Sequence, residues 1–178
     1  MNQISDISSH SFSKNDQLFL DTNIWLSIYG PMAYTQKRAS TYSKALLDIR
    51  KFGCLVFIDI LVVSEFINTY ARWEYKQSLT KYNTFKDFRK SSTFTVIAKD
   101  ISNNVKRIIN QCKRCGYDFV KEDIEKLLTE FGCGDFDFND QIFTEICKSN
   151  RLILVTDDGD FKGSGLTILT ANSYLLST

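Results

Sequence analysis

A chain of 178 residues has the size of one ordinary domain and can bury about two-thirds of its unfolded surface, so it can fold without disulfide or metal staples. Its 22 lysines and arginines nearly cancel its 21 aspartates and glutamates, which excludes a bulk positive field for nucleic acid or an acidic membrane and leaves such work to local patches. Five cysteines, an odd number with two inside apolar runs, suit a reduced, cytoplasmic chain, and no stretch is apolar and long enough to span a bilayer.

Residues 1–16 read as a flexible leader. They are rich in Ser and Asn, lack periodicity, carry the only histidine (His10), and have neither the basic start nor the apolar centre of a signal peptide. Residues 17–178 read as a single domain. Four apolar runs stand out in it, Leu18–Leu20, Cys54–Ile58, Leu152–Val155 and Leu166–Leu169. Each is too short for a helix and too uniformly apolar for a half-exposed strand, which predicts buried strands of a parallel sheet.

Helical spacing fills the intervals, over Tyr34–Arg50, Ile60–Ser78, Phe94–Cys115, Lys121–Phe131 and Asn139–Lys148. Tyr117–Val120 is a further edge-strand candidate, because Gly116 suits the end of a helix before it and Glu122 and Asp123 suit the start of the next. The predicted architecture is α/β, with four to five strands in a central parallel sheet and a helical insertion at about residues 73–115.

In open parallel sheets, ligands gather beyond the carboxyl ends of the strands, which gives weight to acids found there. Asp21 directly follows the first run, in Leu20-Asp21-Thr22-Asn23, and Asp158 follows the third, in Thr156-Asp157-Asp158-Gly159-Asp160-Phe161. Glu65 lies in the otherwise apolar helix opening Ile60-Leu61-Val62-Val63-Ser64-Glu65-Phe66, where a charge needs a partner. Asp140 shares a helical stripe with Phe143 and Cys147, the stripe expected to face the core.

Carboxylates crowded together raise one another's pKa unless a cation sits between them, and oxygen-only ligation favours Mg²⁺ or Mn²⁺. Each acid also has a plainer reading. Asp21 is placed to cap the helix behind it, Asp137 is better placed as a cap than as a ligand, and the acids around Gly159 suit a solvated turn.

Four blocks, Leu20-Asp21-Thr22-Asn23, Ser64-Glu65-Phe66, Asn139-Asp140-Gln141-Ile142 and Leu154-Val155-Thr156-Asp157-Asp158-Gly159-Asp160-Phe161, resemble in kind and order those of the PIN-domain family of metal-dependent nucleases, best represented by VapC-type toxins. The resemblance covers residues 18–70 and 137–170. It implies an α/β/α sandwich, an acidic quartet of Asp21, Glu65, Asp140 and Asp158 with Asn23 and Thr156 in support, and a further or water-mediated metal contact from Asp160. It also implies RNA as substrate, a cognate antitoxin and a homodimer. The chain is longer than typical toxins of the kind.

With a single histidine in the leader, a two-histidine acid–base mechanism is unavailable, and metal-activated water is the chemistry the acids permit. A local grip on RNA is offered by Arg72, Lys76, Arg89, Lys90, Lys113 and Arg114, interleaved with Trp73, Tyr75, Tyr82 and Phe85 as stacking surfaces; an ordinary solvated helix face reads equally well. Cys112-Lys113-Arg114-Cys115 invites zinc but lacks a second paired motif and a nearby histidine. The competing function is a PIN-like module that binds RNA or protein without turnover.

Overall fold

The structure is a computed structural model that describes residues 3–31, 33, 38–78, 81–118, 124–134 and 137–177. Its centre is a parallel six-stranded sheet of β1 (Ile4–Asp6), β2 (Gln17–Leu20), β3 (Leu55–Ile58), β4 (Lys113–Arg114), β5 (Ile153–Val155) and β6 (Ile168–Thr170), in the order β1-β6-β5-β2-β3-β4. The four apolar runs are β2, β3, β5 and β6. Leu18, Phe19 and Leu20 are all buried, as both-face burial of a central strand demands.

Among the described residues eight helices surround the sheet: α1 (Thr22–Tyr29), α2 (Ala39–Lys51), α3 (Ile60–Gln77), α4 (Phe85–Arg89), α5 (Ser92–Ile109), α6 (Ile124–Gly132), α7 (Phe138–Asn150) and α8 (Ser173–Leu176). The steps from β2 to β3 and from β3 to β4 run one way along the sheet, and the step from β4 to β5 runs back. Right-handed crossovers therefore send α1–α5 and α6–α7 to opposite faces, giving three layers. Caps fix the helix starts. Asp59, Thr84, Ser91 and Asp137 accept from the backbone N–H of Leu61, Asp87, Phe94 and Asn139. The core joins both faces, with Trp25, Phe66 and Phe143 buried and Phe19 5.3 Å from Phe143 between ring centroids.

Several expectations are corrected. The leader is not a free tail: β1 pairs with β6 in the register Ile4↔Ile168, Ser5↔Leu169 and Asp6↔Thr170, and Ile7 and Phe12 enter the core. The sheet has six strands rather than four to five because this edge strand and β4 join it. The helix expected over Phe94–Cys115 ends at Ile109, and Lys113–Arg114 then pairs with Phe57–Ile58, so the insertion cannot extend to residue 115.

Tyr117 and Asp118 are not in a strand, while Phe119–Asp123, which include the rest of that candidate strand and Glu122 and Asp123, lie outside the described residues, as do residues 34–37 at the start of the second predicted helix. The helical part of the insertion is α4 and α5, packed on the distal half of α3. Among the described residues no helix is long and apolar enough to cross a membrane.

Because Ile7 is only 2% exposed, Ile7→Ala is expected to destabilise the fold by about 2–4 kcal/mol, measured by urea denaturation. An unchanged midpoint would return this segment to the status of a tail.

Candidate metal centre

The parallel register brings Leu20, Ile58, Val155 and Leu169 to one row at the carboxyl edge of the sheet, and the residues just beyond them face a common end. Asp21 is the first residue past β2, and its backbone N–H bonds to the Val155 carbonyl at 3.0 Å. The same bonding fixes its depth, and the residue is 5% exposed. Although Asp21 stands at the N-cap position of α1, its side chain makes no cap hydrogen bond. The carboxylate turns to the sheet end instead, where its Oδ2 accepts from Thr156 Oγ1 at 2.7 Å and from Asn23 Nδ2 at 2.6 Å.

Asn23 and Thr156 form one polar lattice across the ends of β2 and β5. Asn23 also donates to Thr156 Oγ1 at 3.2 Å and accepts from the Asp157 N–H at 3.1 Å, while Thr156 Oγ1 accepts from the Asp158 N–H at 3.0 Å. The lattice is neutral. It orients Asp21 without balancing its charge.

Glu65 is on the second turn of α3, half-buried, and Thr22 Oγ1 donates to its Oε2 at 2.9 Å. Asp140 is in the first turn of α7, one residue after Asn139, whose N–H is capped by Asp137; the exposed Asp137 is thus a cap, although near enough to raise the pKa of both Glu65 and Asp140. Asp158 caps the 3-10 turn Gly159–Phe161 by accepting from the Asp160 N–H at 3.0 Å. A Cβ on Gly159 would lie 2.9 Å from the ring of the exposed Tyr174, so a larger residue in this turn would require that ring to shift.

The run Asp157-Asp158-Asp160 now separates into roles. Asp157 faces away from the other acids: Arg38 donates to both its oxygens at 3.0 and 2.9 Å, and the Tyr42 hydroxyl donates to Oδ1 at 2.7 Å. Asp140, Asp158 and Asp160 each offer an oxygen within 4.8 Å of the others. Asp21 and Glu65 are not part of that trio, but both act on it electrostatically. None of the ion pairs among the described residues includes Asp21, Glu65, Asp140, Asp158 or Asp160.

The consequence is that Asp21, Glu65 and Asp140 resist ionisation. Burial, reinforced by Glu65 and Asp158, raises the Asp21 pKa to about 7 against the donation from Thr156. Burial also raises Asp140 to about 8, with Asp21, Asp158, Asp137 and Glu65 adding to the shift, and raises Glu65 above the usual range. An oxygen-only donor set in which added negative charge is penalised fits a hard divalent cation. No thiol or imidazole competes within it.

The basic residues proposed from sequence are all exposed. Arg72 and Lys76 follow Glu65 along α3 by seven and eleven positions, about 10 and 16 Å along the axis. Arg114 pairs with Ile58 and so lies in the carboxyl-edge row, two strands from β2. Arg89 and Lys90 end α4. The stacking role expected for Tyr75, Tyr82 and Phe85 is corrected: their rings pack on the fully buried Phe88 at 5.4–6.2 Å, forming a satellite core beneath α4. Arg72 lies over Phe85, 5.2 Å from the ring centroid.

Sequence reasoning passed over Thr22, Arg38, Tyr42 and Gln141. Thr22 and Gln141 were in the motif blocks without a role; Arg38 and Tyr42 offer no local signal, because their partners lie more than a hundred residues away.

Residues 18–163 match the family model described as "PIN domain". Nothing among curated proteins matches the chain. Among solved structures, it is similar to the Rickettsia felis VapBC2 complex bound to a DNA fragment from its promoter, at a TM-score of 0.53 and 15% identity, covering 86% of this chain and 98% of the other. It is also similar to PAE2754 from Pyrobaculum aerophilum, at a TM-score of 0.50 and 13% identity, covering 93% and 96%. At these identities the structures speak for the fold, while the family model spans most of the sequence and includes all four acids, so the chain belongs to the PIN domain family.

Proposed function

We propose that this chain is a Mg²⁺- or Mn²⁺-dependent endoribonuclease and the toxin of a toxin–antitoxin pair. The observation that carries the reading is the group of carboxylate oxygens at the carboxyl edge, several with raised pKa values and none with a cationic partner among the described residues. Structure kept only for stability would place a lysine or arginine there, as it does for Asp157. The antitoxin partner rests on likeness to a structure named for a VapBC complex, and a second copy of the chain rests on the family resemblance alone.

In this reading Asp140, Asp158 and Asp160 hold the ion, with Asp21 as a further ligand. A bound divalent ion supplies neutralisation of phosphate charge and a lowered pKa for water. Asn23 and Thr156 fix the Asp21 carboxylate so that little reorganisation remains when substrate arrives. Glu65, itself fixed by Thr22, orients the attacking water or completes the ion's shell. Arg72, Lys76, Arg89, Lys90, Lys113 and Arg114, all exposed, would contact backbone phosphates. Metal binding without cleavage would favour the alternative of a binding module.

Cleavage of a mixed RNA pool in Mn²⁺ is expected to fall by about a hundredfold or more in Asp21→Asn and Asp140→Asn and to stop in EDTA. Asp157→Asn should lose thermal stability while keeping most of its cleavage. Full activity in the two site variants, or indifference to EDTA, would refute the reading.

A second expectation concerns pH. Asp21 and Asp140 have an ordinary pKa of 3.8, raised in the fold to about 7 and about 8. The folded state therefore holds protons that the unfolded state has released, and the stability they confer is present below about 4 and lost as pH rises to about 8. The metal-free melting temperature should decline over that window, and the gain on adding Mn²⁺ should be larger at pH 8 than at pH 5.5. A gain independent of pH would contradict ligation by these two carboxylates.

A further inference from the structure

The short helix α8 begins three residues after β6 ends, at the same carboxyl edge as the acids. It is tied to the segment that carries Asp158 and Asp160. Asn172 donates through Nδ2 to the Asp157 carbonyl at 2.7 Å and accepts from the Tyr174 N–H at 3.0 Å. Lys162 Nζ donates to the carbonyls of Tyr174 and Ser177 at 3.2 and 2.9 Å, and the buried Leu175 joins α8 to the core.

Tyr174 is the part of this anchored helix that remains open. It is 60% exposed, and the Lys162 ammonium stands over its ring, 4.6 Å from the centroid. A ring edge borders Gly159, between Asp158 and Asp160, which puts it within about 8 Å of the Cα of both acids, the reach of one nucleotide. A lone exposed aromatic is ordinary. Phe52 is such a case, 47% exposed with Lys51 5.3 Å from its centroid, but it precedes β3 and so lies at the amino end of the sheet. The rings of Tyr75, Tyr82 and Phe85 are engaged on Phe88. Tyr174 alone combines an open ring, a cation over that ring and a place beside the acids.

Resting on the nuclease reading for the identity of the ligand, we infer that Tyr174 is a stacking platform for an unpaired base of single-stranded RNA next to the scissile phosphate. Lys162 covers one face of the ring, and the base takes the other. Every base has a π face, so the platform accepts all four, whereas a base held in a duplex cannot leave its own stack without cost. Because Asn172 and Lys162 already fix the backbone of Tyr174, binding orders little but the substrate. The platform thus selects single strands and holds the flanking phosphate near the acids.

The test uses fluorescence anisotropy of an end-labelled riboadenosine dodecamer, alone or annealed to ribouridine, with the full chain in Ca²⁺. Tyr174→Leu keeps apolar bulk over Gly159 and removes the π face, and Tyr174→Phe restores that face without the hydroxyl. Wild type is expected to prefer the single strand; Tyr174→Leu should bind it about tenfold more weakly while its affinity for the duplex and its melting temperature stay unchanged. Tyr174→Phe and Phe52→Leu should bind as wild type does. Absence of the preference in wild type, full single-strand binding by Tyr174→Leu, equal loss of single strand and duplex, or the same loss in Phe52→Leu overturns the inference. Cleavage in Mn²⁺ is assayed in parallel. A wild type that shows the Tyr174-dependent preference but does not cleave refutes the nuclease reading and leaves the platform standing, and one that cleaves with the same KM in Tyr174→Leu does the reverse.

Discussion

A carboxylate buried at the end of β2 with neutral donors and, among the described residues, no cationic partner sets the terms for this structure. Desolvation works against the charge of Asp21, and Glu65 and Asp158 add to that opposition. Two hydrogen bonds from Asn23 and Thr156 offset part of it. Because those donors come from α1 and from the residue after β5, the arrangement depends on adjacent strands being in register to within one residue. Moving β5 by one position would remove Thr156 from reach and put Asp157, with its tie to Arg38, in the place of a ligand.

The same economy is visible around the cluster. Acids near the sheet end are of two kinds, and their partners separate them. Asp59 caps α3, Asp137 caps α7, and Asp157 is held by Arg38 and Tyr42. The five that remain lack cationic partners among the described residues, and three approach within 4.8 Å of one another. Of the acids near the sheet end Asp157 has an ion pair, with Arg38, whereas the cluster carries negative charge that no cation among the described residues balances.

Much of this was legible in the sequence, and the failures have physical causes. The central strands announced themselves because strands buried on both faces must be continuously apolar. The edge strands did not, since β1 (Ile-Ser-Asp) and β4 (Lys-Arg) are short, polar and defined only by their neighbours. Glu65 could be singled out by its apolar surroundings. Asp157, Asp158 and Asp160 could not be told apart, because local sequence gives adjacent acids equal claims, and the residues that turn Asp157 away lie 115 and 119 positions distant. The aromatics around Phe88 misled for a related reason: alternation with lysine and arginine describes an exposed surface and a small shielded core equally well until the chain folds back on itself.

The central claim is that the unpaired acids are a divalent-metal site, and the most direct measurement is the anomalous scattering of Mn²⁺ in crystals of the chain. A peak within coordination distance of Asp140, Asp158 and Asp160, bordered by Asp21, is the result this account predicts. Crystals saturated with Mn²⁺ that show no peak among these carboxylates, or one only elsewhere on the surface, would contradict it.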